Sequence, residues 1–273
     1  MKNILLTALT ASAIAVAPVM ADEAVRSGTV CTRDGVAIAY DHYMRGSDTV
    51  IIICPGFYNS KSNRWMQKAV EIVRPAYDVI IFDFRGHGKS GGTYTWSAKE
   101  EADLDAILDY AHGRGYKHIG IIGFSLGAAV AVNTAASRGG IESMVLISCP
   151  SSFSMINFHF WEPGMFSDLM DNIDCKWDGK GARVANIFMH KDDPKKTIGR
   201  VKDTPILFIH GDKDWIVKDS HSRRLYEAAG EPKKLEIIPG GLHAERLIQA
   251  APDKMQELIR DWFLKTLKRK DIS

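Results

Sequence analysis

The sequence predicts an α/β protein: a doubly wound, mainly parallel sheet with helices on both faces and a small cap inserted between two strands. Three observations predict it. Short β-branched and apolar runs alternate with helical patterns from residue 36 to the end. Two of the runs, TVIIIC (49–54) and DVIIFDF (78–84), are too continuously apolar for a strand with one wet face, as expected where helices cover both sides. One stretch, residues 150–202, breaks the alternation and is rich in large apolar side chains.

In chain order, residues 1–21 come first and are unlike the rest. Lys2 supplies a positive charge, residues 4–16 are almost wholly apolar or small, and Pro18 breaks the helical pattern. Val19-Met20-Ala21 is then a small-x-small cleavage pattern before Asp22. This is the pattern of a secretory signal peptide, with an apolar core too short and poorly flanked to span a membrane. It places the mature domain at 22–273 and predicts a periplasmic or secreted protein of bacterial type.

Strands are expected at 36–43, 49–54, 78–84, 117–123, 143–148, 206–209 and 235–238. Helices are expected at 63–73, 98–112, 126–136, 220–229 and 245–268. The helix at 98–112 has apolar residues at helical spacing (Ala102, Leu104, Ile107, Leu108, Ala111) and stops at Gly113-Arg114-Gly115. The helix at 126–136 is rich in small residues. Segment 150–202 carries Phe153, Met155, Phe158, Phe160, Trp161, Met165, Phe166, Met170, Trp177 and Phe188. It reads as a cap over the strand ends, with side chains able to touch an acyl or aryl group.

Composition narrows the classes. Of 273 residues 45% are hydrophobic and 25% charged, and 35 Lys and Arg against 33 Asp and Glu leave a charge of +2. That balance carries no electrostatic footprint for nucleic acid or an anionic membrane. The basic run at 265–270 reads as a solvated helix face. An exported chain can form disulfides, yet Cys54 and Cys149 each end an apolar strand run, where small buried thiols are common. Together with Cys31 and Cys175 they are expected to be mostly free and buried, a single bridge being the alternative.

The chemistry-bearing motif is Gly123-Phe124-Ser125-Leu126-Gly127, a G-x-S-x-G directly after a strand and directly before a helix. Glycines allow the sharp turn, the serine projects above the sheet, and the Leu126 N–H points to the same place from a helix start. A serine hydroxyl needs a general base. The order serine, acid, histidine leaves Asp214 as the better acid after strand 206–209, with Asp212 as the fallback that more readily shapes the turn. His243 follows a strand and the loop Pro239-Gly240-Gly241-Leu242, whereas His221 lies in a helical stretch where a solvent-facing role is the default. A second backbone donor is expected at Phe57, after Cys54-Pro55-Gly56. The loop Asp83-Phe84-Arg85-Gly86-His87-Gly88-Lys89-Ser90 lacks nucleotide-binding spacing, so Asp83 and Arg85 are read as buttresses and His87 is set aside as a base.

The set CPGF, DFRGHGKSGG, GFSLG, HGDKDWIV and GGLH resembles the α/β-hydrolase superfamily, most closely its serine esterase, acylglycerol lipase and aminopeptidase-like branch. The resemblance spans residues 49–264. It implies the α/β-hydrolase fold, a triad of Ser125, Asp214 and His243, and oxyanion donors at Phe57 and Leu126. One departure is Pro55-Gly56 where many relatives have His-Gly. The expectation is an exported serine hydrolase that cleaves a medium-sized, uncharged acyl or aryl ester through an acyl-enzyme on Ser125, with no metal or organic cofactor. A thioesterase or serine peptidase with the same triad is the nearest alternative, and a non-catalytic binding module the alternative from another class. No oligomeric state follows from the sequence.

Overall fold

Continuous apolar runs become parallel strands because neither face of such a run has a polar side to show to water. In the computed structural model, which describes residues 24–156 and 181–267, the strands are β1 (Ala24–Cys31), β2 (Ala37–Met44), β3 (Thr49–Cys54), β4 (Asp78–Phe82), β5 (His118–Phe124), β6 (Ser143–Ile147), β7 (Ile206–Gly211) and β8 (Lys233–Ile238). They form one eight-stranded sheet in the order β1-β2-β4-β3-β5-β6-β7-β8. β1 pairs with β2, and β2 with β4, antiparallel, while every pairing from β4 to β8 is parallel. Every residue of β3, β4, β6 and β7 is buried.

The pleat sends alternate side chains to two separate cores. Val50, Ile52 and Cys54 of β3 face a core shared with α2 (Glu101–Gly113) and α3 (Leu126–Arg138). Ile51 and Ile53 face the opposite core, shared with α1 (Arg64–Val73). α1 begins where the Asn63 side chain accepts the Trp65 N–H at 2.8 Å, and it buries Met66, Ala69, Val70 and Val73 at helical spacing. α3 is buried from Leu126 to Ala135, which small side chains permit. After the short α4 (Pro194–Thr197), α5 (Ser220–Ala228) returns to the first face.

Three expectations need correction. The edge strand β1 was not foreseen, because its pattern is polar and mostly exposed. The helix expected at 245–268 is two helices, α6 (Arg246–Ala250) and α7 (Pro252–Thr266). Pro252 cannot donate to the preceding turn and drives Ala251 out of the helical region, to φ −141°. His221 is buried rather than solvent-facing. Its Nδ1 accepts the Ser151 N–H at 2.9 Å, and its Nε2 lies 3.2 Å from the Met155 carbonyl. The described cysteines follow the expectation of mostly free, buried thiols: Cys54 and Cys149 are free and buried, and Cys31 is free and exposed on the edge strand. Cys175 lies outside the described residues, as do Phe158, Phe160, Trp161, Met165, Phe166, Met170 and Trp177 of the expected cap. The described return of that segment is stitched to the sheet loops: Arg183 donates its N–H to Gly86 and accepts that of Tyr94, both at 2.8 Å.

Candidate active site

Ser125 occupies the turn from β5 into α3, with its backbone at φ 50° and ψ −118°. Non-glycine residues rarely adopt that region. The turn is held on three sides. The Ser125 N–H donates to the Ile147 carbonyl of β6 at 2.8 Å. A Cβ on Gly127 would collide with the carbonyl oxygens of Cys54 and Pro55, so α3 starts hard against the end of β3. A Cβ on Gly56 would come within 3.3 Å of the Ser125 Cβ, which puts the Pro55-Gly56 turn directly beside the hydroxyl.

His243 arrives from the loop after β8. Its Nε2 lies 2.9 Å from Ser125 Oγ and its Nδ1 2.7 Å from Asp214 Oδ2. The carboxylate can only accept from Nδ1–H, which leaves Nε2 to accept the serine O–H. The loop is fixed from both ends. Asp212 accepts the Gly240 N–H at 2.7 Å, and Ser148 Oγ accepts the Ala244 N–H at 3.0 Å. Asp212 therefore ties the turn, while Asp214 faces the imidazole.

Asp214 is buried and fully engaged. Its Oδ1 accepts the N–H groups of Ile216 and Val217 at 3.0 and 2.9 Å. Its Oδ2 lies 3.2 Å from His210 Nε2 as well as against His243. Burial alone would push this carboxyl up. The charge of His243 and the N–H groups of His210 and His243 outweigh that, and hold it well below the usual carboxylate range.

The loop after β3 is braced from below. Asp83 accepts the Lys61 and Lys89 N–H groups at 2.6 and 2.8 Å, and the Arg85 guanidinium pairs with Asp103 and Asp34 at 2.7 Å each. His87 Nε2 accepts the Tyr58 N–H at 3.1 Å, and burial pushes its pKa down to about 4. Among the described residues, no backbone hydrogen bond is made by the N–H of Phe57 or of Leu126. A cavity of about 270 Å³ opens over Ser125, walled by Phe57, Trp96, Leu126, Ile156, Trp215 and Val217. Among the described residues, no three His, Cys, Asp or Glu side chains gather as a metal site, and no helix is long and apolar enough to cross a membrane.

A model of the alpha/beta hydrolase family matches residues 51–255, three quarters of the chain. The chain belongs to the alpha/beta hydrolase family. The matched alpha/beta hydrolase region holds Phe57, Ser125, Leu126, Asp214 and His243 together. Among curated proteins, YfhR of Escherichia coli O157:H7, uncharacterised, is 29% identical over 70% of this chain and 62% of its own length. An uncharacterised protein of Mycobacterium tuberculosis is 29% identical over 80% of this chain and 72% of its own. The chain thus spans about three fifths of the length of YfhR. Among solved structures, the Pyrococcus furiosus esterase Pf2001 superposes with a TM-score of 0.72 at 25% identity, over 89% of this chain and 93% of that one. A bromoperoxidase from Bacillus anthracis shares the fold alone, with a TM-score of 0.69 at 19% identity over 88% of this chain and all of that one.

The structure thus brings Ser125, Asp214, His243, Phe57 and Leu126 to one strand edge. Two neighbours escaped the sequence reading. The sequence assigns no role to His210, just past the strand expected at 206–209, and it lies beside the acid. His87, not expected to act as a base, has a structural part that the sequence does not show: its ring props the Phe57–Tyr58 turn. The signal for both was present as a histidine inside an otherwise apolar or glycine-rich strand end, but nothing in spacing says what a buried ring will meet.

Proposed function

We propose that this chain is a serine hydrolase that cleaves carboxylic esters through an acyl-enzyme on Ser125. The observation that carries the reading is the unbroken chain of contacts Ser125 Oγ, His243, Asp214 at the mouth of an apolar cavity. In this reading Ser125 Oγ attacks the ester carbonyl while His243 Nε2 takes its proton. Asp214 stabilises the imidazolium so formed. The N–H groups of Phe57 and Leu126 receive the oxyanion, the second at the start of α3, where the helix dipole favours negative charge. His243 then returns the proton to the leaving alkoxide. A water activated by the same ring releases the acid, and no cofactor enters either step. The aromatic and aliphatic walls suit an acyl or aryl group. The esterase name of the Pyrococcus furiosus protein supports the ester reading at the level of fold and modest identity.

The test is a panel of esters of graded chain length, with matched thioesters and amides, run on wild type and Ser125→Ala together. Ester turnover is expected to fall by on the order of 10³-fold or more in the variant. Labelling by a fluorophosphonate is expected to vanish. Full activity in Ser125→Ala would end this reading, and a dominant rate on thioesters or amides would redirect it. We propose further that residues 1–21 direct export and are removed.

A further inference from the structure

The Ser125 cavity holds a carboxylate that ester cleavage does not use. Glu245, two residues beyond His243, lines the cavity and is only 8% exposed. Its Oε1 accepts the Asn59 Nδ2–H at 2.9 Å, and Asn59, on the opposite loop, is itself buried. That bond fixes the amide's orientation, because a flipped Asn59 would set oxygen against oxygen. Asn59 Oδ1 is correspondingly left without a partner among the described residues. Among the described residues no lysine, arginine or histidine forms an ion pair with Glu245. The nearby imidazole of His243 already has Asp214 as its counter-charge at 2.7 Å.

Among the described residues Glu245 is a buried carboxylate held by one neutral amide, an unfinished arrangement, since charges out of water are ordinarily paired. The cavity around it is apolar and partly aromatic, with Phe57, Trp96 and Trp215 in its wall beside Leu126, Ile156 and Val217. Electron-rich ring faces and an anion favour the same guest, a cation with apolar substituents. We propose that this cavity takes ammonium-bearing ligands, the cation seated between the Glu245 carboxylate and the aromatic wall. The proposal rests on the serine-hydrolase reading for its consequence, which is that the preferred esters carry an ammonium group. Binding itself does not depend on that reading. Asn59 serves as a positioning residue that keeps the carboxylate turned to the cavity.

The experiment is a calorimetric titration of the full chain with 3-hydroxyphenyltrimethylammonium and with its uncharged isostere, 3-tert-butylphenol. A purely apolar cavity would favour the phenol, because the cation must be desolvated. The proposal expects the reverse, with the cation bound at least tenfold more tightly by wild type. In Glu245→Gln, which can still accept from Asn59, that preference is expected to disappear. In Glu257→Gln, at an exposed site on α7, it is expected to persist. Equal binding of the two probes by wild type, or tighter binding of the phenol, overturns the proposal even if no variant folds. A cation preference retained in Glu245→Gln overturns it equally. Phenyl acetate turnover, measured in parallel, separates the two readings. Turnover without cation preference defeats only this inference, and cation preference without turnover defeats only the hydrolase reading.

Discussion

His210 has one N–H to give and two acceptors for it. Its Nδ1 lies 2.6 Å from the Ser222 hydroxyl, while its Nε2 lies 2.7 Å from the Val217 carbonyl and 3.2 Å from Asp214 Oδ2. A carbonyl and a carboxylate can only accept, so the proton sits on Nε2 and Ser222 donates to Nδ1. His210 thus restrains the carboxylate that orients His243. Hydrogen bonds to charged groups contribute roughly 1.5–3 kcal/mol, and part of that is expected in the transition state. His210→Ala should therefore lower kcat about tenfold with little change in KM, and should slow fluorophosphonate labelling in parallel. An unchanged labelling rate would assign His210 to stability alone. His87 makes a different prediction. Its pKa is near 4 in the fold against an ordinary 6.5, so between those values the unfolded chain binds a proton that the folded one refuses. The stability its neutral ring contributes is full above pH 6.5 and is lost as pH falls toward 4. The penalty of His87→Gln should accordingly shrink on acidification, by up to about 1.4 kcal/mol per pH unit. Urea midpoints of both proteins at pH 5 and pH 7.5 check it, and a pH-independent difference would contradict it.

At the scale of elements, strand ends do the positioning. Gly127 lets the first turn of α3 rest on the carbonyls that close β3, so the loop after β3 and Ser125 share one contact. Gly127→Ala should push the two apart, destabilising the fold by about 1–3 kcal/mol. Because the displaced groups are the serine and the turn beside it, ester turnover should fall more steeply than the unfolding midpoint. A variant with lowered stability and wild-type kinetics would show the contact to be packing only. The parallel strands were legible in the sequence because a run such as TVIIIC has one physical solution, burial on both faces. The G-x-S-x-G turn was legible because it lies between two such elements. β1 was not, since an edge strand answers to its partner rather than to a pattern. The split at Pro252 follows from local chemistry that the amphipathic period of 245–268 obscured. The Asn59–Glu245 pair joins two loops distant in sequence, and no local pattern announces such a meeting.

At the scale of the molecule, the sheet explains which part of the chain the fold requires. β1 pairs with β2 from Ala24 to Cys31, and Gly28 lies under the Tyr40 ring, where a Cβ would meet the hydroxyl at 2.7 Å. Tyr40 and Ile38 are buried in the core shared with α2 and α3. Without β1, that side of β2 loses its cover and becomes an open edge, which invites pairing with another copy. The proposed cleavage before Asp22 spares all of this, because the first strand starts at Ala24. A chain beginning at Asp22 is therefore expected to match the full chain in unfolding midpoint and fluorophosphonate labelling, while one beginning at Val36 should unfold earlier and scatter light as it associates. Amino-terminal sequencing of the exported protein is expected to read Asp-Glu-Ala from residue 22. If the chain from Asp22 were markedly less stable than the full one, the leading residues would belong to the fold and the export reading would fail with them.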